Sequence, residues 1–233
     1  MRHDKVRIRA ALRVMAITPD VVWDDGGAAE RSLLNGVEAA IAGGITSLQY
    51  RDKQVAAWED RLRRAKTLQT LCASHDVWFV VNDNADLAVA CGADAVHVGP
   101  EDESPASIVA RLSGRLVVGG SAGTPERALH LLEQGVGYMG VGAIFDASAT
   151  KPNASGPRGT QVLCDIRAVA ALSSLPLIAI GGITFERVGD CVRAGADGVA
   201  VVRAILGMES PRDAARELRH EVEYSLVARA TPG

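Results

Sequence analysis

The chain has 233 residues, of which 48% are hydrophobic but only 4% aromatic, and it carries a formal net charge of −3. That length suits one domain of the α/β-barrel class, with a core that must be filled by Val, Ile, Leu and Ala, the residues that dominate parallel sheets. The slightly acidic balance excludes the broad basic field that non-specific nucleic-acid binding or an electrostatic membrane anchor needs.

Taken in chain order, the segment Met1-Arg2-His3-Asp4-Lys5 is charged and no apolar signal region follows it. No apolar stretch of about 20 residues occurs later, so a cytoplasmic protein without a membrane partner is expected. Short apolar runs that read as buried strands fall at residues 14–17, 45–50, 77–81, 95–98, 116–118, 138–141, 177–180 and 199–202. Helical spacing of apolar residues links them at 28–41, 58–72, 125–134, 162–172 and 185–194, and a charged amphipathic helix follows at 210–227. Runs such as Trp78-Phe79-Val80-Val81 are apolar on both faces, as a strand between a barrel interior and a helix layer must be. Gly-Ala-Asp segments at Gly92-Ala93-Asp94 and Gly195-Ala196-Asp197 read as loops where a helix stops and the chain re-enters the sheet. The pattern predicts a (β/α)8 TIM barrel, one domain over residues 1–233, with roughly ten residues flexible at the N-terminus and about five at the C-terminus. Cys72, Cys91, Cys164 and Cys191 are scattered, which indicates neither a zinc site nor a disulfide framework.

In such a barrel the chemistry sits at the C-terminal ends of the strands. Polar residues recur there: Gln49, Arg51 and Lys53 after the second run, Asn82 and Asp83 after the third, His97, Asp102 and Glu103 at the fourth, and Ser121 after the fifth. Arg51 and Lys53 are two residues apart on extended chain, so both can face one way and grip a polyphosphate; the alternative is a solvated cation pair. Each of Asp83 and Asp102 by itself reads as a helix cap before it reads as a ligand, but as a pair from neighbouring strands beside Arg51 and Lys53 they read better as sharing a Mg²⁺ ion. Gly181-Gly182-Ile183-Thr184 and the segment 198–203 fit a phosphate cradle of backbone N–H groups after strands seven and eight. Thr150-Lys151 lies in the irregular stretch 146–159, either a lid carrying a cation or an ordinary connection. His97, inside an apolar strand, reads as a core or orienting histidine.

In this order the segments resemble the thiamine phosphate synthase family. The resemblance rests on Gln49-Tyr50-Arg51-Asp52-Lys53, Val81-Asn82-Asp83, Gly92-Ala93-Asp94-Ala95-Val96-His97-Val98-Gly99 with Asp102, Gly119-Gly120-Ser121, Thr150-Lys151-Pro152, Ala179-Ile180-Gly181-Gly182-Ile183 and Gly195-Ala196-Asp197-Gly198-Val199-Ala200-Val201-Val202. It implies a barrel transferase that joins hydroxymethylpyrimidine diphosphate to thiazole phosphate, with Mg²⁺ as cofactor and pyrophosphate as leaving group. On that resemblance Gln49, Tyr50, Arg51, Asp52, Lys53, Asn82, Ser121 and Lys151 hold the pyrimidine diphosphate, and Arg51, Lys53, Ser121 and Lys151 are the catalytic set. Asp83 and Asp102 hold the metal, and Ser148, Ala149, Thr150, Gly182, Val202 and Arg203 the thiazole phosphate.

The chain departs from the family pattern at Pro100, at Ala122-Gly123-Thr124, and by one extra residue between Phe145 and Lys151. Two alternatives keep the barrel: a thiazole tautomerase-like paralogue, which Gly156-Pro157-Arg158-Gly159 also fits, and a non-catalytic phosphate-binding barrel. The expected partners are small phosphorylated molecules, and a homo-oligomer is left open.

Overall fold

In the computed structural model, which describes residues 4–20, 27–54, 56–112, 114–148 and 156–231, parallel strands close into a barrel in chain order. They are β1 (Val14–Ile17), β2 (Ser47–Tyr50), β3 (Trp78–Asn82), β4 (Ala95–Val98), β5 (Val117–Ala122), β6 (Tyr138–Val141), β7 (Leu177–Ile180) and β8 (Gly198–Val201), and β8 pairs back onto β1. The outer ring consists of α2 (Ala28–Gly43), α3 (Trp58–Ala73), α4 (Ala85–Cys91), α5 (Pro105–Leu112), α6 (Pro125–Glu133), α7 (Gln161–Ala168), α8 (Phe185–Arg193) and α10 (Pro211–Ala230). The short α9 (Arg203–Leu206) follows β8, and α1 (Lys5–Ala11) precedes β1. Among the described residues no helix is long and apolar enough to cross a membrane.

Alternation along each strand separates two cores. Met15, Ile17, Val80, Ala95, Val117, Tyr138, Ile178 and Ala200 fill the barrel interior, whereas Val14, Leu48, Phe79, Val96, Met139 and Val199 face the helices. The thiols belong to this packing: burial pushes Cys91 up to about 11 and Cys72 up to about 12, so both stay protonated.

The segment read from sequence as a flexible leader contains α1, capped by Asp4, whose side chain accepts from Val6 N at 2.9 Å. Ile8 and Leu12 enter the interior core from this end, so α1 closes the bottom of the barrel. At the other terminus Arg229 donates to the carbonyls of Val192 and Ala196 at 2.7 and 2.8 Å, tying the end of α10 to the loop before β8.

Three strand entries share one device. In the loops before β2, β4 and β8 a side chain accepts an N–H near the start of the preceding strand: Thr46 Oγ1 from Val14 N (2.9 Å), Asp94 Oδ2 from Phe79 N (2.9 Å) and Asp197 Oδ2 from Leu177 N (2.9 Å). The side chains thereby satisfy backbone donors at the entry ends of β1, β3 and β7. The Gly-Ala-Asp repeat is therefore a glycine that ends a helix, at φ +75 for Gly92, followed by a carboxylate that registers a strand pair.

Two predicted elements differ from the observed ones. The helix expected at 162–172 ends at Ala168, and Val169 is extended before a 3-10 turn at Ala170–Leu172. That break turns the carbonyls of Ser173 and Leu175 toward Arg167, which donates to both at 3.1 and 2.6 Å. β5 runs through Ala122 rather than ending near residue 118, because Gly119, Gly120 and Ser121 stay in register with β6 despite their weak strand propensity.

Candidate active site

At the mouth, the extended chain leaving β2 divides its side chains by parity. Gln49 is buried with its Nε2 3.8 Å from Met15 Sδ, on the interior side. Arg51 continues on that side: Thr18 Oγ1 clamps its backbone, accepting from Arg51 N at 2.9 Å and donating to Arg51 O at 3.0 Å. Arg51 Nη1 lies 2.8 and 2.7 Å from the two carboxylate oxygens of Asp20. Half-exposed Lys53 pairs with Asp83 Oδ2.

Tyr50 and Asp52, expected among the diphosphate ligands, face the other way. Tyr50 is buried against Phe79 in the helix-facing core, and its hydroxyl donates to Asp52 Oδ2 at 2.8 Å. The Asp52 side chain is 2% exposed and also meets Arg64 Nη1 at 3.4 Å, while Arg61 donates to its backbone carbonyl at 3.1 Å. This pair fixes the β2–α3 turn that carries Arg51 and Lys53; Tyr50 lies away from the mouth, while Asp52, its carboxylate held by Tyr50 and Arg64, borders the cleft beside Lys53 and Asp83.

Asp83 and Asp102 are brought together. Asp83 N donates to His97 O at 2.8 Å, which extends the β3–β4 ladder by one residue before the chain turns through φ +65 at Asp83. Burial raises the Asp83 carboxyl above its ordinary range; Lys53 opposes that shift, and the adjacent Asp102 carboxylate adds to it. Asp102 is anchored by Gly99 N, which donates to its Oδ2 at 2.7 Å. Neither aspartate caps a helix: Asn84 does so for α4, accepting from Leu87 N at 2.9 Å, and Ser104 accepts from Ser107 N at the start of α5 at 3.3 Å. With the caps assigned to their neighbours, two carboxylates remain facing one another beside a cation.

No cluster of three or more His, Cys, Asp or Glu forms a ready-made cage among the described residues. Two carboxylates are nonetheless the donor set Mg²⁺ prefers, because that ion keeps several waters and takes its remaining ligands from substrate phosphate. The pair fits the ion. A cleft of about 390 Å³ opens beside Asp83, lined by Lys53, Asn82, Asp86 and Glu103 among others.

Asn82 shares the interior side of β3 with Trp78 and Val80, and Ser121 ends the interior row of β5. His97, buried on β4, sits 3.0 Å from Ser121 Oγ through Nε2, the orienting position anticipated for it.

Across the mouth, the loops leaving β6 and β7 run together, with Ile144 N and Phe145 N donating to Ile180 O and Gly181 O at 2.9 and 3.0 Å. Gly182, at φ +62, packs so closely on the Asp146 carbonyl that a Cβ has no room, and Arg187 donates to Gly182 O at 2.9 Å. Val202 packs against the interior core and Arg203 begins α9. Ser148 is exposed, its N–H bound to Asp146 Oδ1 at 2.9 Å, and Ala149, Thr150 and Lys151 lie outside the described residues.

A larger, open recess of about 560 Å³ lies between the loops after β5 and β6, lined by Gly123, Thr124, Arg158 and Gln161. Among the described residues that line it there is none of the expected ligands. Its floor accounts for one departure from the family pattern: the Arg158 guanidinium folds over Gly123, where a Cβ would lie 2.6 Å from its Nε.

Thr18 and Asp20 were not anticipated, although they follow the first apolar run just as Arg51 follows the second. The Tyr138 partner of His97 was also missed; its signal is the pair of mid-strand glycines, Gly119 and Gly140, which mark close approach inside the barrel.

Residues 20–205 match the family model described as thiamine monophosphate synthase. The chain is 42% identical over 192 residues to the thiamine-phosphate synthase of Bacillus cereus (strain B4264), covering 82% of this chain and 86% of that one. It is also 42% identical over 199 residues to that of Chloroflexus aurantiacus, covering 85% and 89%. The solved thiamine phosphate pyrophosphorylase from Pyrococcus furiosus superposes with a TM-score of 0.80 at 32% identity, covering 94% of this chain and 99% of that one. A 3-hexulose-6-phosphate synthase structure, at 16% identity and TM-score 0.63, shares the fold alone. With Arg51, Lys53, Asp83 and Asp102 gathered at its mouth from the loops after β2, β3 and β4, and matched over most of its length by these enzymes, the chain belongs to the thiamine monophosphate synthase family of transferases.

Proposed function

We propose that the protein condenses hydroxymethylpyrimidine diphosphate with thiazole phosphate to give thiamine phosphate and pyrophosphate, with Mg²⁺ held by Asp83 and Asp102. The observation that carries this reading is the acidic pair itself: two carboxylates pressed together and partly buried beside Lys53 are unfavourable without a cation, and a phosphate cradle alone has no use for them.

In this reading Gln49 and Asn82 line the floor for the pyrimidine, and Arg51, Lys53, Ser121 and Lys151 surround the diphosphate. Gly182, Val202 and Arg203, with the 148–150 segment, receive the thiazole phosphate. The bond from the pyrimidine methylene carbon to the diphosphate oxygen breaks, pyrophosphate leaving with the electron pair and the electron-rich pyrimidine carrying the positive charge, and the thiazole nitrogen then forms its bond to that carbon. No protein nucleophile is needed. The residues hold nitrogen and carbon in line and stabilise charge on the departing oxygen. When bound, Mg²⁺ supplies positive charge to the diphosphate oxygens.

Without substrate the cations are already neutralised, Arg51 by Asp20 and Lys53 by Asp83. Diphosphate must therefore displace Asp20 from Arg51, and Lys53 would turn to the same anion once Asp83 served as a metal ligand. Asp20 is 47% exposed, so the first exchange is cheap, on the order of 1 kcal/mol or less. Asp20→Asn is expected to tighten product inhibition by inorganic pyrophosphate up to about fivefold. Weaker inhibition in that variant would mean that Asp20 aims Arg51 instead of competing for it.

The reading as a whole is tested by following pyrophosphate release from the two substrates with and without Mg²⁺, with thiazole isomerisation measured in parallel. Isomerisation without Mg²⁺-dependent release would sink it in favour of the tautomerase alternative.

A further inference from the structure

Beneath Ser121, His97 bridges two hydroxyls: its Nδ1 lies 3.1 Å from Tyr138 Oη and its Nε2 3.0 Å from Ser121 Oγ. The rings of His97 and Tyr138 are 5.4 Å apart between centroids, and both occupy space left by glycines. A Cβ at Gly140 would lie 3.0 Å from His97 Cε1, and one at Gly119 would overlap the Tyr138 ring.

The direction of this chain follows from its buried end. Tyr138 is fully enclosed, burial pushes its phenol pKa up, and among the described residues its hydroxyl has His97 Nδ1 as hydrogen-bond partner. A buried O–H that fails to donate is costly, so the phenol donates to Nδ1. Nδ1 is then the bare ring nitrogen, the imidazole is neutral with its proton on Nε2, and Nε2–H donates to Ser121 Oγ. Ser121 cannot point its own hydrogen back at a nitrogen that already bears one. It points that hydrogen away from His97, and the hydroxyl is left as a donor.

We infer that Tyr138 and His97 are positioning residues that lock Ser121 as a hydrogen-bond donor to the departing diphosphate. An anion only accepts hydrogen bonds; a serine free to rotate would spend part of its time presenting lone pairs to it. The inference rests on the proposed role of Ser121 at the diphosphate, and the experiment separates the two.

Tyr138→Phe keeps the ring and removes the donor, so the imidazole proton can move to Nδ1, and Nε2 can then accept from Ser121. In ¹⁵N spectra of the ligand-free, histidine-labelled protein, with His97 assigned by loss of its signals in His97→Gln, the parent should show Nε2 protonated and Nδ1 bare. Tyr138→Phe should shift the ring toward the opposite tautomer. Ser121→Ala is expected to slow Mg²⁺-dependent pyrophosphate release by about 10²-fold or more, and Tyr138→Phe by about tenfold, the scale of outer-sphere partners. Because Tyr138 acts through Ser121, it should add nothing to Ser121→Ala. A parent protonated at Nδ1, a ring unmoved by Tyr138→Phe, or equal effects of Tyr138→Phe in both backgrounds overturns the relay. Wild-type release in Ser121→Ala instead overturns the diphosphate role of Ser121.

Discussion

Asp83→Asn is expected to slow pyrophosphate release by about 10³-fold or more while leaving the metal-free protein at least as stable as the parent. Loss of outer-sphere partners of a bound metal typically costs 10- to 100-fold, and Asp83 is proposed as one of only two direct protein ligands, so the larger loss follows. Asparagine is the informative substitution because residue 83 sits at φ +65, a conformation that Asn tolerates and Ala does not. The backbone bond from residue 83 to His97 O survives the change, so the turn should hold. Stability should not fall, because the substitution removes a partly buried charge facing Asp102, and the ion pair lost with it involves a half-exposed lysine, worth little. The checks are the pyrophosphate release rate and the melting temperature as Mg²⁺ is titrated. The parent should be stabilised by the ion and Asp83→Asn should not. Activity within tenfold of the parent would remove Asp83 from the metal.

The same strand ends show how far residues alone carried the reading. All eight strands, the parallel closure and the polar ends of β2 to β5 were legible, because a strand buried on both faces is an apolar run and the residue after it stands at the mouth. A motif read as a block set Tyr50 and Asp52 beside Arg51 and Lys53 as ligands, but their side chains are turned to partners of their own. The alternation that puts Arg51 and Lys53 on one side puts Tyr50 and Asp52 on the other, where Arg64 and Phe79 receive them. Thr18 and Asp20 obey the strand-end rule but match no expected ligand. The helices 85–91 and 105–112 are two turns long, too short for a periodicity to stand out, and their caps Asn84 and Ser104 were hidden among the aspartates that drew attention. The plug formed by α1 could not be read at all. Ile8 and Leu12 are two apolar residues in a charged segment, and only the open bottom of a closed barrel makes them core.

That bottom end is where a single substitution should do most damage to the fold. Asp197→Ala is expected to destabilise the protein by about 3–5 kcal/mol, the range for breaking a buried ion pair by removing one partner. For a chain of this size the melting temperature should drop by roughly 6–20 °C. The Asp197 side chain is 5% exposed and stands among three guanidinium groups: Arg167 at 2.8 Å, Arg9 at 3.4 Å and Arg229 at 3.6 Å. Its Oδ2 also accepts from Leu177 N at the start of β7, and its backbone carbonyl accepts from Arg13 at 2.9 Å. The arginines are spokes of one hub, reaching on to the carbonyls of Ser174, Gly195, Leu175 and Ala196, so they join α1, α7, α10 and the loops before β7 and β8. Without the carboxylate, three partly buried cations repel one another while their carbonyl partners hold them in place. Two effects compete to explain the loss, the orphaned charge and the missing acceptor for Leu177 N, and Asp197→Asn separates them because it keeps an acceptor oxygen. A lost hydrogen bond of that kind is worth about 1 kcal/mol, so the asparagine variant should remain nearly as unstable as the alanine one if charge dominates. Near-parental stability of Asp197→Asn would assign the hub's strength to strand registration instead. Either variant, assayed below its melting point, should turn over at the parental rate, because the hub lies at the end of the barrel opposite Asp83 and Ser121.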